Sequence, residues 1–184
     1  VLAIDDTGSL KPYAKKTEGV SYQYCPVIKD KAYCNVAVVS CYANAVKHVP
    51  LNLRFYKTEA EFICGKNDPD FKSKLDFAME LIEEAIAAGI AFSHIVFDSW
   101  YASCDMINFI DNKGRKFISE VKSDRRLLVE HPVSKKEIWL RADELVKLIK
   151  KHLWHKTRMV NYNGRLVPVY ALNVRVKDSQ VNLK

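Results

Sequence analysis

Two apolar runs in this chain end in acid. The first, Val1-Leu2-Ala3-Ile4, runs into Asp5-Asp6, and the second, His94-Ile95-Val96-Phe97, runs into Asp98, with Trp100-Tyr101 close behind. Short apolar runs of this kind suit buried strands, and a carboxylate at the end of each suggests a shared site. Two carboxylates at neighbouring strand ends repel each other. A divalent cation removes that repulsion, and hard oxygen ligands suit Mg²⁺ or Mn²⁺, which keep waters and bind substrate phosphates. Two such ions can activate a nucleophile and stabilise a leaving oxygen in phosphodiester chemistry. The competing reading is that the acids are strand-end caps facing solvent. Side chains alternate along a strand, so only one of Asp5 and Asp6 can face such a site.

The charge distribution adds a second clue. Residues 1–111 hold 11 Lys/Arg against 15 Asp/Glu, a balance of −4, whereas residues 112–184 hold 18 against 7, a balance of +11, giving the net +7. Such asymmetry suggests that the second part meets a polyanion, DNA, RNA or an anionic surface; a solvated basic face is the alternative. Lys122, Arg125 and Arg126 leave the last expected core strand on the sheet edge of the acids, where phosphate contact is plausible. Lys147, Lys150 and Lys151 share one helix face by their spacing, and with Lys156 and Arg158 they could hold a DNA backbone. Lys11, Lys15 and Lys16 follow the first acid and could also touch phosphate. Trp139 and Trp154 are expected to pack in the core of the second part. His152 and His155 lack a third ligand for zinc. The five cysteines show no CxxC and no regular spacing, so reduced, mostly buried thiols are expected rather than a metal site.

These side chains need elements to hold them. The 184 residues, 48% hydrophobic and 28% charged, suffice for one domain with a real core, or a domain with an insertion. No run of about 18 apolar residues exists to cross a membrane, and no signal peptide is visible. The start at Val1, directly in a strand, and the end soon after another strand read as a piece of a longer protein. Strands are expected at 1–5, 32–44, 49–56, 92–97 and 116–121, with a short extended piece in 20–28. Thr7-Gly8-Ser9 reads as a loop after the first strand. A hairpin through Asn44–His48 joins the second and third strands. Asn67-Asp68-Pro69 reads as the start of a helix carrying Phe71, Leu75, Ala78, Leu81, Ile82, Ala85 and Ile86 on one face, stopped by Gly89. Residues 104–114 read as a second helix closed by Gly114. Hairpins followed by crossover helices imply a mixed sheet with helices against it, the first strand central and the strand ending at Asp98 beside it. After Val121 the texture turns basic and broken, with a basic amphipathic helix over 141–153 and a hairpin over 157–176 around Asn163-Gly164, a type I′ turn signal.

The stretches LAIDDTGSL, GVSYQYCPVIKDKAYCNVAV, LRFY, HIVFDSWYAS and KFISEVKSDRR, taken in this order, resemble a DDE transposase of bacterial insertion sequences, in the branch whose ribonuclease H-like core carries a β-rich insertion. The resemblance runs from Val1 to about Arg126. It implies an α/β fold, a ribonuclease H-like mixed sheet with flanking helices, over residues 1–122, followed by a partial basic α+β insertion over 123–184. The family's first catalytic Asp stands directly before Thr, which selects Asp6 over Asp5, and its second maps to Asp98. The third acid, a Glu on a helix after the insertion, has no convincing match and is expected outside this chain; Glu120 is the rival within it. The implied cofactor is Mg²⁺ or Mn²⁺, two ions in the complete site, with Asp6 and Asp98 as ligands. The implied reaction is cleavage of a DNA strand by water, followed by attack of the freed 3′-hydroxyl on another phosphodiester, so no protein nucleophile is needed. Lacking the Glu, this chain alone is expected to be inactive. Implied partners are double-stranded DNA and a second protomer on that DNA, with no membrane, in the bacterial cytoplasm at the nucleoid. Two alternatives stand beside this: a DNA-binding remnant without catalysis, and another ribonuclease H-like nuclease such as a resolvase, against which the long basic segment argues.

Overall fold

The computed structural model describes residues 1–14, 17–162, 164–177 and 182–183. The chain divides into two compact units, one of residues 1–101 and 113–119, the other of residues 102–112 and 120–184.

The first unit is built on a six-stranded mixed sheet. Its strands are β1 (Leu2–Leu10), β2 (Ser21–Cys25), β3 (Asp30–Ala43), β4 (His48–Tyr56), β5 (His94–Phe97) and β6 (Lys116–Ser119), in the order β2-β3-β1-β5-β6, with β4 also on β3. β1, β2 and β4 run antiparallel to β3, while β1–β5 and β5–β6 are parallel. This is the mixed sheet expected from the sequence, with β1 central and β5 beside it. The fourteen residues of β3 are rich in Val, Ala, Cys and Tyr, types that suit a pleated, half-buried surface. Cys34, Val36, Val38 and Ser40 point alternately into the core, joined by Leu2 and Ile4 of β1 and Ile95 and Phe97 of β5. Burying each large aliphatic side chain of this set contributes about 1.5–3 kcal/mol.

One helix packs on this face of β3 and β4. α1 (Lys74–Ala87) buries Ala78, Leu81, Ile82 and Ala85, and Gly89, at φ +69°, closes it as Ile90 N–H returns to Ala85 C=O. Its start differs from the expectation at Asn67–Pro69. Ser73 caps the helix, its hydroxyl accepting from Asp76 N–H while the Asp76 carboxylate takes Ser73 N–H. Residues 65–67 form only a short 3₁₀ turn, and Phe71 packs edge-on against Phe62 ahead of the helix. The capping pair at 73 and 76 was the stronger signal.

Two further features depart from the sequence reading. β1 does not stop at Asp5 but runs on to Leu10, paired with β3 as far as Cys34. Gly8 serves a close approach, not a turn: a Cβ there would stand 2.9 Å from Cys25 Sγ and 3.0 Å from Pro26 Cδ. On β4 the apolar alternation faces the other way. Leu53 and Phe55 are exposed, while Asn52 donates to Glu84 of α1 (2.7 Å) and Arg54 pairs with the same carboxylate. The helix is thus tied to β4 by polar contacts. Of the cysteines, Cys25 and Cys34 are buried, Cys41 and Cys104 are partly covered, and Cys64 is exposed; all are free. Burial, with Cys25 beside it, pushes the Cys34 thiol up to about 11.

The second unit contains α2 (Cys104–Asn112), which buries Met106, Ile107 and Ile110, and a four-stranded sheet. In that sheet β7 (Arg126–Glu130) pairs with β8 (Glu137–Arg141) and with β11 (Val174–Val176), which carries β12 (Asn182–Leu183). The β7–β8 hairpin went unseen in the sequence because charged residues flank its short core, Leu127-Leu128-Val129. α3 (Ala142–His152) follows β8 directly, as expected for the basic helix, and buries Leu145. β9 (Arg158–Tyr162) and β10 (Arg165–Val169) form a hairpin shorter than the expected 157–176, since Val174–Val176 pairs with β7 instead; Asn163, on which its turn type rests, lies outside the described residues, as do Lys15 and Lys16. Trp139 and Trp154 are about half exposed and do not form the core of this unit.

No helix among the described residues is long and apolar enough to cross a membrane.

Candidate active site

β1 and β5 deliver the acids. The two strands are parallel, with Leu2 opposite Ile95 and Ala3 opposite Val96. Continuing that register sets Asp5 level with Asp98, with Asp6 one residue further along β1. Asp5 and Asp6, in the middle of β1, therefore lie along the strand next to the one that Asp98 ends, with Asp5 and Asp6 on opposite faces of the sheet. Their charges meet at Tyr101. Its ring is 1% exposed, and its buried hydroxyl has no hydrogen-bond partner among the described residues. Burial first, then the charges of Asp6, Asp5 and Asp98 in that order, drive its proton affinity far above the ordinary phenol value.

Each acid is held differently. Asp98 follows the last residue of β5 and turns the chain. Its Oδ1 accepts from Trp100 N–H (2.8 Å) and Tyr101 N–H (3.3 Å), and its main-chain carbonyl accepts from Ser119 Oγ at the end of β6 (3.1 Å). It is a strand-end cap in that sense, yet its second carboxylate oxygen has no protein donor among the described residues. Asp6 points to the α1 side of the sheet, where its Oδ2 forms an ion pair with Lys74, the first residue of α1. Asp5, its neighbour, points the opposite way and is exposed, with Oδ1 accepting from Asp6 N–H (2.8 Å). Partial burial raises the Asp5 carboxyl above its ordinary value; the Asp6 amide opposes this, and the charges of Asp6 and Asp98 add to it.

The sequence pointed to the acids, but not to Lys74. Nothing in a Ser-Lys-Leu-Asp helix start marks a lysine as inward-facing. Its destination follows only from how α1 lies over β1.

A family model described as DDE superfamily endonuclease matches residues 1–139. The chain belongs to this family. No match was found among curated proteins or among solved structures. The match runs from β1 into β8 and so includes Asp5, Asp6 and Asp98. Membership accounts for the mixed sheet with its flanking helix, which is the arrangement of a ribonuclease H-like DDE domain, and it implies endonuclease chemistry on DNA.

DDE nucleases use divalent metal ions, and the donor chemistry here fits. The available ligands are carboxylate oxygens, as Mg²⁺ and Mn²⁺ prefer, and an ammonium already stands on Asp6 as a cation. Among the described residues no three His, Cys, Asp or Glu side chains are grouped as a ready-made metal cage. Mg²⁺ commonly takes one or two carboxylates and completes its shell with water and substrate phosphates. Asp6 and Asp98 would be the residues to hold it.

The basic candidates lie in the second unit. Lys122, Lys147, Lys150, Lys151, Lys156, Arg126 and Arg158 are exposed and make no ion pair among the described residues. Arg125 differs: its guanidinium donates to Ala102 C=O and lies 3.9 Å from Cys104 Sγ, a contact within the unit that removes it from the set available to phosphate. His131 and His152 pack ring to ring at 6.2 Å without a metal-ligand grouping.

Proposed function

We propose that the chain carries catalytic residues of a DDE-type DNA transposase of the bacterial insertion-sequence kind. In this reading Asp6 and Asp98 bind the metal, and the family's third acid is not assigned to a described residue. The observation that supports it is that Asp6, within β1, and Asp98, directly after β5, are carried by adjacent parallel strands, in a chain matched to DDE endonucleases over residues 1–139. Asp6 and Asp98 would hold Mg²⁺ or Mn²⁺, whose chemistry when bound would be activation of a water and charge stabilisation at the leaving 3′-oxygen. The protein's part is to fix the two carboxylates, with Oδ1 of Asp98 pinned by two amides, and to hold the phosphate backbone through the free cations of the second unit. Strand transfer then uses the DNA 3′-hydroxyl, so no side-chain nucleophile is required. Pairing two transposon ends would bring two protomers onto one DNA, and the setting would be the bacterial nucleoid.

The test is Mn²⁺ binding by calorimetry, with Asp98→Asn and Asp6→Asn beside the wild type. Asn keeps the Oδ1 acceptor of the turn at residue 98 while removing the charge. Binding weakened by at least about tenfold in both variants, with the fold intact, is the expected result. Binding of plasmid DNA without binding of Mn²⁺ in any form would instead favour a DNA-binding remnant. Mn²⁺ binding unchanged in both variants would sink the assignment.

A further inference from the structure

Lys74 stands where a lysine has little reason to be. It is the first residue of α1, at the end of the helix dipole that disfavours a cation. Its side chain is only 13% exposed, which adds a desolvation penalty. Three elements of the same unit offset that penalty. Asp6 of β1 takes the ammonium as an ion pair; Tyr56, the last residue of β4, and Trp100, just past β5, present ring faces at 5.4 Å and 5.7 Å. Carboxylate and aromatic faces are the surroundings that hold a desolvated cation. A lysine needed only to solubilise the helix would stay at the surface, as Lys72 does, 48% exposed and paired with Glu80.

We propose that Lys74 is an internal counter-ion: its ammonium keeps the place of a divalent cation on Asp6, and it gives up that carboxylate when metal and a DNA phosphate arrive. The inference rests on the reading of Asp6 as a metal ligand. A metal and an ammonium cannot both sit fully on the one carboxylate oxygen, so binding of one lowers occupancy by the other. The displaced ammonium, on a flexible four-carbon stem, remains beside the site, where a phosphate is the natural acceptor for a compact point charge. Lys74 is thus a positioning residue that couples metal loading to the presence of DNA and keeps Asp6 neutralised before either is bound.

The experiment is Mn²⁺ titration followed by the spin-resonance signal of free Mn²⁺, with and without a short DNA duplex. The wild type is compared with Lys74→Met, Lys74→Arg and Asp6→Asn, each first checked for a cooperative melt. Release of a largely buried ion pair predicts Mn²⁺ binding about three- to tenfold tighter in Lys74→Met without DNA. Lys74→Arg should keep wild-type affinity. Added duplex should tighten Mn²⁺ binding in the wild type and do so less in Lys74→Met. If Lys74→Met leaves Mn²⁺ affinity unchanged while Asp6→Asn abolishes it, the site stands and the counter-ion role is wrong. If Asp6→Asn changes nothing, the metal reading of Asp6 fails and this inference fails with it. Should Lys74→Met not fold, Lys74→Gln carries the same comparison.

Discussion

Gly8→Ala is the sharpest probe of the strand that carries Asp6. The added Cβ would meet Cys25 Sγ at 2.9 Å and Pro26 Cδ at 3.0 Å, closer than side-chain carbons pack. Overpacking of this order costs about 1–3 kcal/mol. Against it, replacing Gly by Ala removes freedom from the unfolded chain, a gain of about 0.4–1 kcal/mol where the backbone conformation allows Ala, and Gly8 has no positive φ to forbid it. The net is a loss of about 1–2 kcal/mol, or about 3–7 °C in melting temperature for a chain of this size. The control is Cys25→Ala, which removes the sulfur. In that background the contact with Pro26 remains but the sulfur clash is gone, and Gly8→Ala should cost clearly less. A four-point cycle of thermal melts reads the coupling, expected at about 1 kcal/mol or more. Equal losses in both backgrounds would refute the claim that Gly8 is required by the approach of Cys25. Gly8 also shares a sheet face with Asp6, two residues away. The same variant should therefore weaken Mn²⁺ binding if the strand shifts to relieve the clash.

Tyr101→Phe deletes a buried hydroxyl that has no partner, so thermal stability should hold or rise, by up to about 1 kcal/mol; a loss of that size would reveal a bond to the neighbouring acids. Asp5→Asn tests the acidic crowding through pH. The Asp5 carboxyl is raised above 3.8, chiefly by burial. The folded state therefore holds that proton more tightly than the unfolded chain, and Asp5 lowers stability as pH climbs from 3.8 through the raised value. Asn, which keeps the acceptor for Asp6 N–H, should then raise the melting temperature at pH 7 and give no gain below pH 3.8. A gain that persists in acid would point to a cause other than charge.

Apolar periodicity sufficed for the sheet and for the burial face of α1, because each element there buries a continuous stripe, as Leu81, Ile82 and Ala85 do on one side of the helix. It failed where polar contacts decide. β4 looks apolar at Leu51, Leu53 and Phe55, yet Asn52 and Arg54 face α1 because Glu80 and Glu84 wait there. Gly8 looked like a break because a glycine signals either a turn or a close approach, and only the neighbour, Cys25, tells which. In the candidate site, the acids were legible as abrupt ends to apolar runs. Lys74 was not, since 68 residues separate it from Asp6 and only the packing of α1 over β1 joins them.

The two acids are prepared in different ways, and on the proposed reading that difference has a consequence. Asp98 commits Oδ1 to two backbone amides. Those donors fix the carboxylate without competing for its other oxygen, so a cation can join with no bond broken, a preorganised arrangement. Asp6 commits Oδ2 to an ammonium, which must leave or shift before a metal can use that oxygen. The Asp98 half is built in advance, whereas the Asp6 half is gated. Mn²⁺ should therefore reach Asp98 first, and the weaker, later step of a titration should be the one that Lys74→Met strengthens and Asp6→Asn removes. A single step, lost equally in Asp6→Asn and Asp98→Asn, would mean that both carboxylates load together and that the ammonium imposes no order.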